Sequence, residues 1–325
     1  MSEAKFNDPS GEWVDIPDNF TNTPYSGKLP PRLYRYRSYT ENNWRDRLGS
    51  EIGQTKVFLS PAGSLNDPEE VLPEVRLVGE VDDIRTYWRG QSASFVPAPR
   101  SRKEMEDEIE RLTQLTLENH CSFTDSMYRD YIGRMASRAR IACFSEHENN
   151  PVMWAHYGVY RTTSGAHAHG GIVLQYSVVD ELRKANLHPV SYQTQRPTID
   201  LLNKHAELER SVLAAFTTKD VAWSYESEWR FYAMVEDMPA DGNLHPHFLP
   251  LQLSSHLLTG IYFGLHTPQH MRDEVVRLIA AKEQPPRLYE VYRDRHTLGL
   301  NRREVVRTSQ TSFDLQPVST GRVFL

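Results

Sequence analysis

The chain has 325 residues, of which 39% are hydrophobic and 25% charged, and its formal net charge is −6. This composition is typical of a globular protein, and the acidic balance argues against broad electrostatic binding to nucleic acid or to an anionic membrane. The two cysteines are too few for a disulfide framework, and no apolar run approaches the ~18 residues of a membrane helix. We therefore expect a cytoplasmic protein with reduced thiols and no membrane partner.

The first part of the chain predicts an arm followed by two strands. Residues 1–31 are rich in Asn, Asp, Pro and Gly, which is typical of an extended N-terminal arm. Residues 33–37 alternate aromatic and basic side chains, so they predict a strand with two tyrosines on one face and two arginines on the other. A short helix over 40–52 and a strand over 57–60 follow, before a polar loop.

The middle of the chain predicts a helical insertion and then a strand and a helix. Residues 99–139 are charged and favour helix, so we expect them to form an insertion over a β core. Residues 140–145 predict a strand. Asn149 or Asn150 can cap the next helix, which has Pro151 at its first position.

The last part of the chain predicts strands and helices in an irregular order. Strands are predicted over 172–176, 190–192, 225–234, 258–264 and 288–292, and helices over 197–217 and 268–282. This order does not alternate regularly enough for a doubly wound sheet. We therefore expect one α+β domain over 32–300, with a mixed, mostly antiparallel β core, and an irregular tail over 301–325.

The strongest local signal for chemistry is the segment Glu226-Ser227-Glu228. On a strand, the period of two places both carboxylates on one face, where their repulsion can raise one pKa. Such a pair suits acid–base chemistry or the binding of sugar hydroxyls. Arg230 lies on the same face, so an ion-pair ladder is the structural alternative.

Arg35 and Arg37 are a second signal, because they share one face of the first strand. Two arginines so placed can bind a phosphate or a carboxylate through paired hydrogen bonds. The alternative is a solvated strand face with no ligand.

The helix after Pro151 carries a third group of residues. Trp154 and Tyr157 are three residues apart and share a helix face, where they can stack on a nicotinamide or adenine ring or simply fill a core. His156 lies on a different face, and a hydrogen-bonded structural histidine is its simpler interpretation.

Metal binding is not predicted. A set of hard ligands can be drawn from Asp67, Glu69, His156, Glu226 and Glu228, but nothing in their spacing indicates a site. The chain also lacks the GxGxxG, GxxxxGK(S/T), HExxH and GxSxG motifs. Their absence argues against a Rossmann dehydrogenase, a P-loop NTPase, a zincin and an α/β-hydrolase.

The order of these short motifs resembles that of the bacterial domain-of-unknown-function family 2971. The resemblance covers residues 32–265 and rests on four ordered groups, which are 33–38 with 58–69, 143–146 with 153–158, 171–174, and 223–230. More distantly, the layout resembles that of ADP-ribosyltransferase folds, which implies a split sheet and NAD as the substrate.

This resemblance implies a set of NAD-binding residues and a pair of catalytic glutamates. The NAD-binding residues would be Arg35 or Arg37, Ser60 or Ser145, Trp154, His156 and Tyr157. Glu228 would hydrogen-bond the ribose and stabilise its oxocarbenium-like charge, while Glu226 would orient or deprotonate the acceptor.

The function implied is that of an NAD-consuming ADP-ribosyltransferase or NAD glycohydrolase, acting as a bacterial toxin or phage-defence effector. The acceptor is left open among protein, nucleic acid, a small molecule and water, and so is the oligomeric state. The alternatives are a non-catalytic nucleotide- or protein-binding sensor domain of a defence system, and a metal-dependent nuclease.

Overall fold

The alternating strand around Tyr34 lies near the middle of a large sheet in the computed structural model, which describes residues 5–7, 13–15, 25–92, 101–118, 138–178, 187–234 and 249–305. The α-helices within these residues are α1 (Trp44–Leu48), α2 (Val81–Gly90), α3 (Arg102–Glu118), α4 (Pro151–Tyr157), α5 (His205–Thr217) and α6 (Gln269–Ala280). In chain order, the strands of the first part of the chain are β1 (Lys5–Asn7), β2 (Trp13–Asp15), β3 (Arg32–Arg37), β4 (Tyr39–Thr40), β5 (Lys56–Pro61), β6 (Glu74–Arg76), β7 (Ala139–Ser145), β8 (Tyr160–Thr162), β9 (Gly165–His167) and β10 (Ile172–Ser177). The remaining strands are β11 (Leu187–Pro189), β12 (Ser191–Tyr192), β13 (Thr198–Asp200), β14 (Thr218–Lys219), β15 (Glu228–Met234), β16 (Leu249–Gln252), β17 (Leu258–Phe263), β18 (Arg287–Arg293) and β19 (Leu300–Glu304).

Within the described residues the main sheet has twelve strands, in the order β19-β18-β17-β10-β3-β7-β5-β16-β1-β2, with β15 and β11 branching from β7. Its pairs are antiparallel except for β17 with β18, which run parallel. The expected mixed fold with a largely antiparallel sheet and several helices is therefore confirmed. No helix among the described residues is long and apolar enough to cross a membrane.

The sheet branches at β7, and this branch opens a gap between the neighbouring strands. One edge of β7 pairs with β15 along its full length, from Glu228 opposite Ser145 to Met234 opposite Ala139. The other edge is shared, because β3 pairs with it only at Ser145 and β5 only near Ile141. The two strands diverge between these points, so the backbone leaves a gap opposite the middle of β7.

Each face of the sheet buries its own apolar layer, as the strand period of two dictates. Leu33, Phe144 and Trp229 belong to the larger cluster on one face, whereas Tyr34 and Trp154 belong to a cluster under α4 on the other. Full burial of such a side chain contributes about 1.5–3 kcal/mol. These two layers hold the edges of the gap in place.

Helix α4 closes one side of the gap and begins as the sequence predicts. Asn150 is its N-cap, and its side chain accepts hydrogen bonds from the backbone N–H groups of Val152 (2.9 Å) and Met153 (3.3 Å). Pro151 occupies the first turn, where its missing N–H costs nothing. Of the two candidate caps, the structure therefore uses Asn150.

Three expectations for local structure need correction. The strand expected over 225–234 begins only at Glu228, because Val221–Glu226 is a 3-10 helix. Residues 197–217, expected to be one helix, divide into β13 and α5. The N-terminal arm carries β1 and β2, and β19 extends four residues into the expected tail.

The helical insertion expected over 99–139 is described only in part. Its first half is α3, which packs on α2 through Trp88 and Ile109, and its residues 119–137 lie outside the described residues. The sequence also predicts a helix that begins near residues 178–180, and this helix falls largely on residues 179–186, which are not described.

Candidate functional site

The gap opposite β7 opens into a pocket of about 230 Å³. Seven residues that the sequence predicted for one site line this pocket together: Arg35, Arg37, Ser60, Ser145, Tyr157, Glu226 and Glu228. They come from β3, β5, β7, α4, the segment before β15 and the first residue of β15, and the branch in the sheet brings them together. We call this space the β7 pocket.

Glu228 lies in the wall of the β7 pocket but is fully occupied by cations. Its Oε1 accepts from Arg230 Nε at 2.9 Å, and its Oε2 accepts from Arg230 Nη2 at 3.0 Å. Burial opposes the charge of Glu228, but the Arg230 guanidinium and the Lys219 ammonium outweigh it and hold its pKa at about 2. Glu228 is therefore an ionised carboxylate held by cations, and it is poorly suited to accept a proton near neutral pH.

Arg230 and Glu228 belong to a closed ring of four buried charges. Arg230 also binds Glu70, and Glu70 in turn accepts from Lys219 Nζ at 2.9 Å. Lys219 closes the ring with a 3.5 Å contact to Glu228. The four side chains are at most 4% exposed, so their charges are compensated by neighbouring charged side chains rather than by water.

Glu226 binds Lys219, a member of this ring, and lines the β7 pocket. Its Oε2 accepts from Lys219 Nζ at 2.7 Å, and its Oε1 accepts from the Tyr157 hydroxyl at 2.6 Å. Burial raises the pKa of Glu226 above its ordinary value, and the attraction of Lys219 offsets this only in part. Glu226 is thus the carboxylate of the pair whose proton affinity suits general-base chemistry.

The two glutamates differ because Ser227 turns the chain between them. Ser227 has φ 44° and ψ 57°, in the left-handed region, so the residues on either side do not follow the strand period. The turn is held by Ser145, whose Oγ donates to the Glu226 carbonyl at 2.6 Å, and by Tyr192, whose hydroxyl accepts from the Glu228 N–H at 2.8 Å. The strand geometry expected for this pair was therefore wrong, although both carboxylates still reach Lys219.

Arg35 supplies the positive charge of the β7 pocket. Its guanidinium donates to the Phe58 carbonyl and lies 5.7 Å from the centre of the Phe144 ring. It is only 7% exposed, and it forms no ion pair within the described part of the chain. Burial and then the neighbouring Arg37 lower its pKa to about 10, which shows how weakly its charge is compensated.

Arg37, the other candidate, is already neutralised. Its guanidinium pairs with the buried Glu51, whose second oxygen accepts from the Tyr39 hydroxyl at 2.8 Å. An added anion would have to compete with this carboxylate. The structure therefore favours Arg35 over Arg37 as the residue available to an anionic ligand.

Of the four remaining candidates, Ser60 and Ser145 line the pocket, whereas Trp154 and His156 do not. Ser145 holds the turn through its hydroxyl, so Ser60 is the candidate serine that lines the pocket without that structural bond. Trp154 does not line the pocket, because it is fully buried beside Tyr36 at 5.4 Å between ring centres. His156 is exposed on the outer side of α4 and does not line the pocket either.

The ligands considered for a metal are not gathered in one place. Among the described residues, no three His, Cys, Asp or Glu side chains are placed to hold an ion. Glu69 pairs with Arg196, and the Asp67 carboxylate accepts from the Glu69 N–H at 2.9 Å. The structure thus gives the nuclease alternative no ligand set in this part of the chain.

Sequence reasoning missed Lys219 and Glu70 as members of the site. Lys219 follows a helix and lies in the two-residue strand β14, a position with no motif around it. Glu70 ends the run Asp67-Pro68-Glu69-Glu70, in which all four residues are acidic or proline, and such a run is typical of a surface turn. The sequence offered one signal for these residues. If the two carboxylates at 226 and 228 are buried, they require cations beside them.

The comparisons with known proteins add no relative. No family model, no curated protein and no solved structure matches the chain. The resemblance to family 2971 therefore stays a prediction, and the function has to be argued from the site.

Proposed function

We propose that the β7 pocket binds one end of NAD and that the protein transfers ADP-ribose from it, either to an acceptor or to water. The observation that supports this most is the polarity of the pocket. The same small space is lined by the buried guanidinium of Arg35, which has no ion-pair partner among the described residues, and by the Glu226 carboxylate, whose pKa is raised.

This polarity suits a substrate that is anionic at one end and becomes cationic at its reacting carbon. The pyrophosphate of NAD meets the first requirement, and Arg35 would receive it. The ribose meets the second, because positive charge develops at C1′ as the bond to nicotinamide breaks. The pocket volume of about 230 Å³ suits the nicotinamide ribose, with the rest of the dinucleotide lying outside.

The reaction follows from these positions. The C1′–N bond breaks, its electron pair passes to the pyridinium nitrogen, and neutral nicotinamide leaves. The Glu226 carboxylate faces the positive charge that remains on the ribose, and it takes the proton of the attacking water or acceptor group. Tyr157 fixes the orientation of Glu226 through its 2.6 Å hydrogen bond.

Glu228 takes a different role from the one that the resemblance implies. Its two oxygens are bound by Arg230, so the role of the ribose-facing carboxylate passes to Glu226. Glu228 instead anchors Lys219, which holds Glu226 from the other side. The proposed pair of glutamates therefore consists of one reacting group and one positioning group.

The proposal extends to the finer fold, an ADP-ribosyltransferase-like split sheet. It is supported by the branch at β7, where β3 and β5 separate and leave a cleft with a carboxylate on its wall. NAD consumption of this kind depletes a cell of cofactor. That consequence is the basis for the proposed role as a toxin or phage-defence effector.

Release of nicotinamide from NAD tests the proposal. We expect the wild-type protein to release nicotinamide and Glu226→Gln to lose at least about 100-fold in rate, since it removes the charge that faces C1′. Glu283→Gln is the matched control, because Glu283 is exposed and outside the pocket, and it should leave the rate unchanged. Mass spectrometry of a cell extract then separates transfer to an acceptor from hydrolysis.

Two results would contradict the proposal. Equal rates for wild type and Glu226→Gln would remove Glu226 from the chemistry. Binding of NAD by the wild type without any nicotinamide release, with or without cell extract, would favour the non-catalytic sensor instead.

A further inference from the structure

A second pocket lies on the far side of the charged ring and has a volume of about 350 Å³. Its walls come from residues 67–72, residues 193–197 and the segment from Ala215 to Trp223. Lys219 and Glu70 line both this pocket and the β7 pocket. We call the second space the Trp223 groove.

The wall between the two pockets includes a single buried ion pair. The Lys219 Nζ and Glu70 Oε1 atoms are 2.9 Å apart, and their side chains are 4% and 2% exposed. The same Lys219 ammonium lies 2.7 Å from Glu226 Oε2. A molecule in the Trp223 groove therefore lies against the ion pair that holds Glu226.

One side of the groove suits an aliphatic chain. Trp223 is half-buried, with its indole 4.6 Å from the Lys219 ammonium, and Leu72 and Pro197 are also half-buried there. An apolar stem that covers these groups removes apolar surface from water, which favours binding.

The charges of the groove select for a cationic ligand. Asp67 and Asp220 line it, and neither forms an ion pair among the residues that the structure describes. Each of them accepts one backbone N–H bond, which leaves its charge uncompensated. The neighbouring Glu69 is already paired with Arg196. Asp67 and Asp220 would repel a pyrophosphate, which favours a cationic ligand here over an extension of the proposed NAD site.

We propose that the Trp223 groove binds a small aliphatic amine, with its ammonium paired to Asp67 and Asp220 and its stem against Trp223. The amine brings a positive charge close to the Lys219–Glu70 pair and so changes the field at Glu226. This second effect rests on the proposed function, whereas binding in the groove does not.

Calorimetric titration with putrescine tests the binding itself. We expect the wild type to bind putrescine and the double variant Asp67→Asn/Asp220→Asn to bind about tenfold more weakly, because it loses two exposed charge contacts. The variant Asp82→Asn/Asp83→Asn removes two exposed carboxylates from the first turn of α2, away from the groove, and should bind like wild type. The neutral diol 1,4-butanediol has the same carbon chain and should not bind.

The outcomes separate this inference from the proposed function. Absent putrescine binding, or equal binding by wild type and the groove variant, would overturn the inference whatever the protein does with NAD. Binding that follows Asp67 and Asp220 in a protein that leaves NAD intact would support the groove and refute the proposed function. If NAD is consumed, putrescine should change the rate for wild type and not for the groove variant, and an unchanged wild-type rate would overturn the coupling.

Discussion

Replacing Arg230 with methionine should cost more stability than almost any other single change in this chain. Arg230 is completely buried and binds Glu228 and Glu70 in the charged ring and the Phe216 carbonyl outside it. Its removal leaves two buried carboxylates with Lys219 as their shared cation. Removing one partner of a buried ion pair costs about 3–5 kcal/mol.

The pKa of Glu228 gives an independent estimate of the same size. The shift from its ordinary value of 4.5 to about 2 corresponds to roughly 3 kcal/mol of stabilisation of the charged form. A loss of this size lowers the melting temperature on the order of 10 °C in a protein of this length. Thermal unfolding at neutral pH measures it directly.

Arg111→Met is the matched control for this prediction. Arg111 forms an exposed ion pair with Glu108 on α3, with side-chain exposures of 56% and 35%, so its loss should cost less than about 1 kcal/mol. The double variant Arg230→Met/Glu228→Gln should recover part of the loss, because it removes the unpaired charge. Equal melting temperatures for Arg230→Met and Arg111→Met would refute the reasoning.

The same ring predicts a pH dependence with a definite sign. The folded pKa of Glu228 is depressed, so its contribution to stability is complete above its unfolded pKa and is lost as pH falls from about 5 towards 2. We expect the wild type to lose roughly 3 kcal/mol from this group over that window. Arg230→Met should lose much less, since it lacks the cation that depresses the pKa.

Three further predictions separate the roles of the site residues. Glu226→Gln should change the melting temperature by only a few degrees, whereas Glu228→Gln should lower it strongly, because burial of Glu226 already opposes its charge. Arg35→Met should keep or raise the melting temperature without ligand but weaken NAD binding at least about tenfold, because no described residue forms an ion pair with its buried charge. Ser227→Gly should stabilise the protein by up to about 1 kcal/mol in thermal unfolding, since φ 44° favours glycine.

Each of these three predictions would be contradicted by a specific result. Equal destabilisation by Glu226→Gln and Glu228→Gln would mean that both carboxylates are structural. A strong loss of stability in Arg35→Met would show that its charge is compensated in the free protein. A lower melting temperature for Ser227→Gly would mean that the serine hydroxyl matters more than backbone strain.

Local patterns in the sequence determined the elements that carry the site. The alternation of residues 33–37 predicted β3, and the order Asn150-Pro151 predicted the start of α4, because both depend on short-range rules of period and capping. The same rules failed at 225–227, where Ser227 adopts a left-handed backbone conformation. That conformation is held by Ser145 and Tyr192, which are distant in sequence, so no local pattern could reveal it.

The sequence also identified the charged residues of the site, whereas the tertiary structure decided what each of them does. By type and spacing, the sequence by itself singled out Arg35, Glu226 and Glu228 as candidates for polar chemistry. It singled out Tyr157 only as an aromatic residue that can stack on a ring. Only the tertiary structure decided that Glu228 is held by Arg230 while Glu226 faces the pocket. The physical reason is that a carboxylate's proton affinity depends on its burial and on nearby cations. The burial comes from strands that are distant in sequence and meet at the branch of β7, and Lys219 precedes Glu226 but belongs to no recognisable motif.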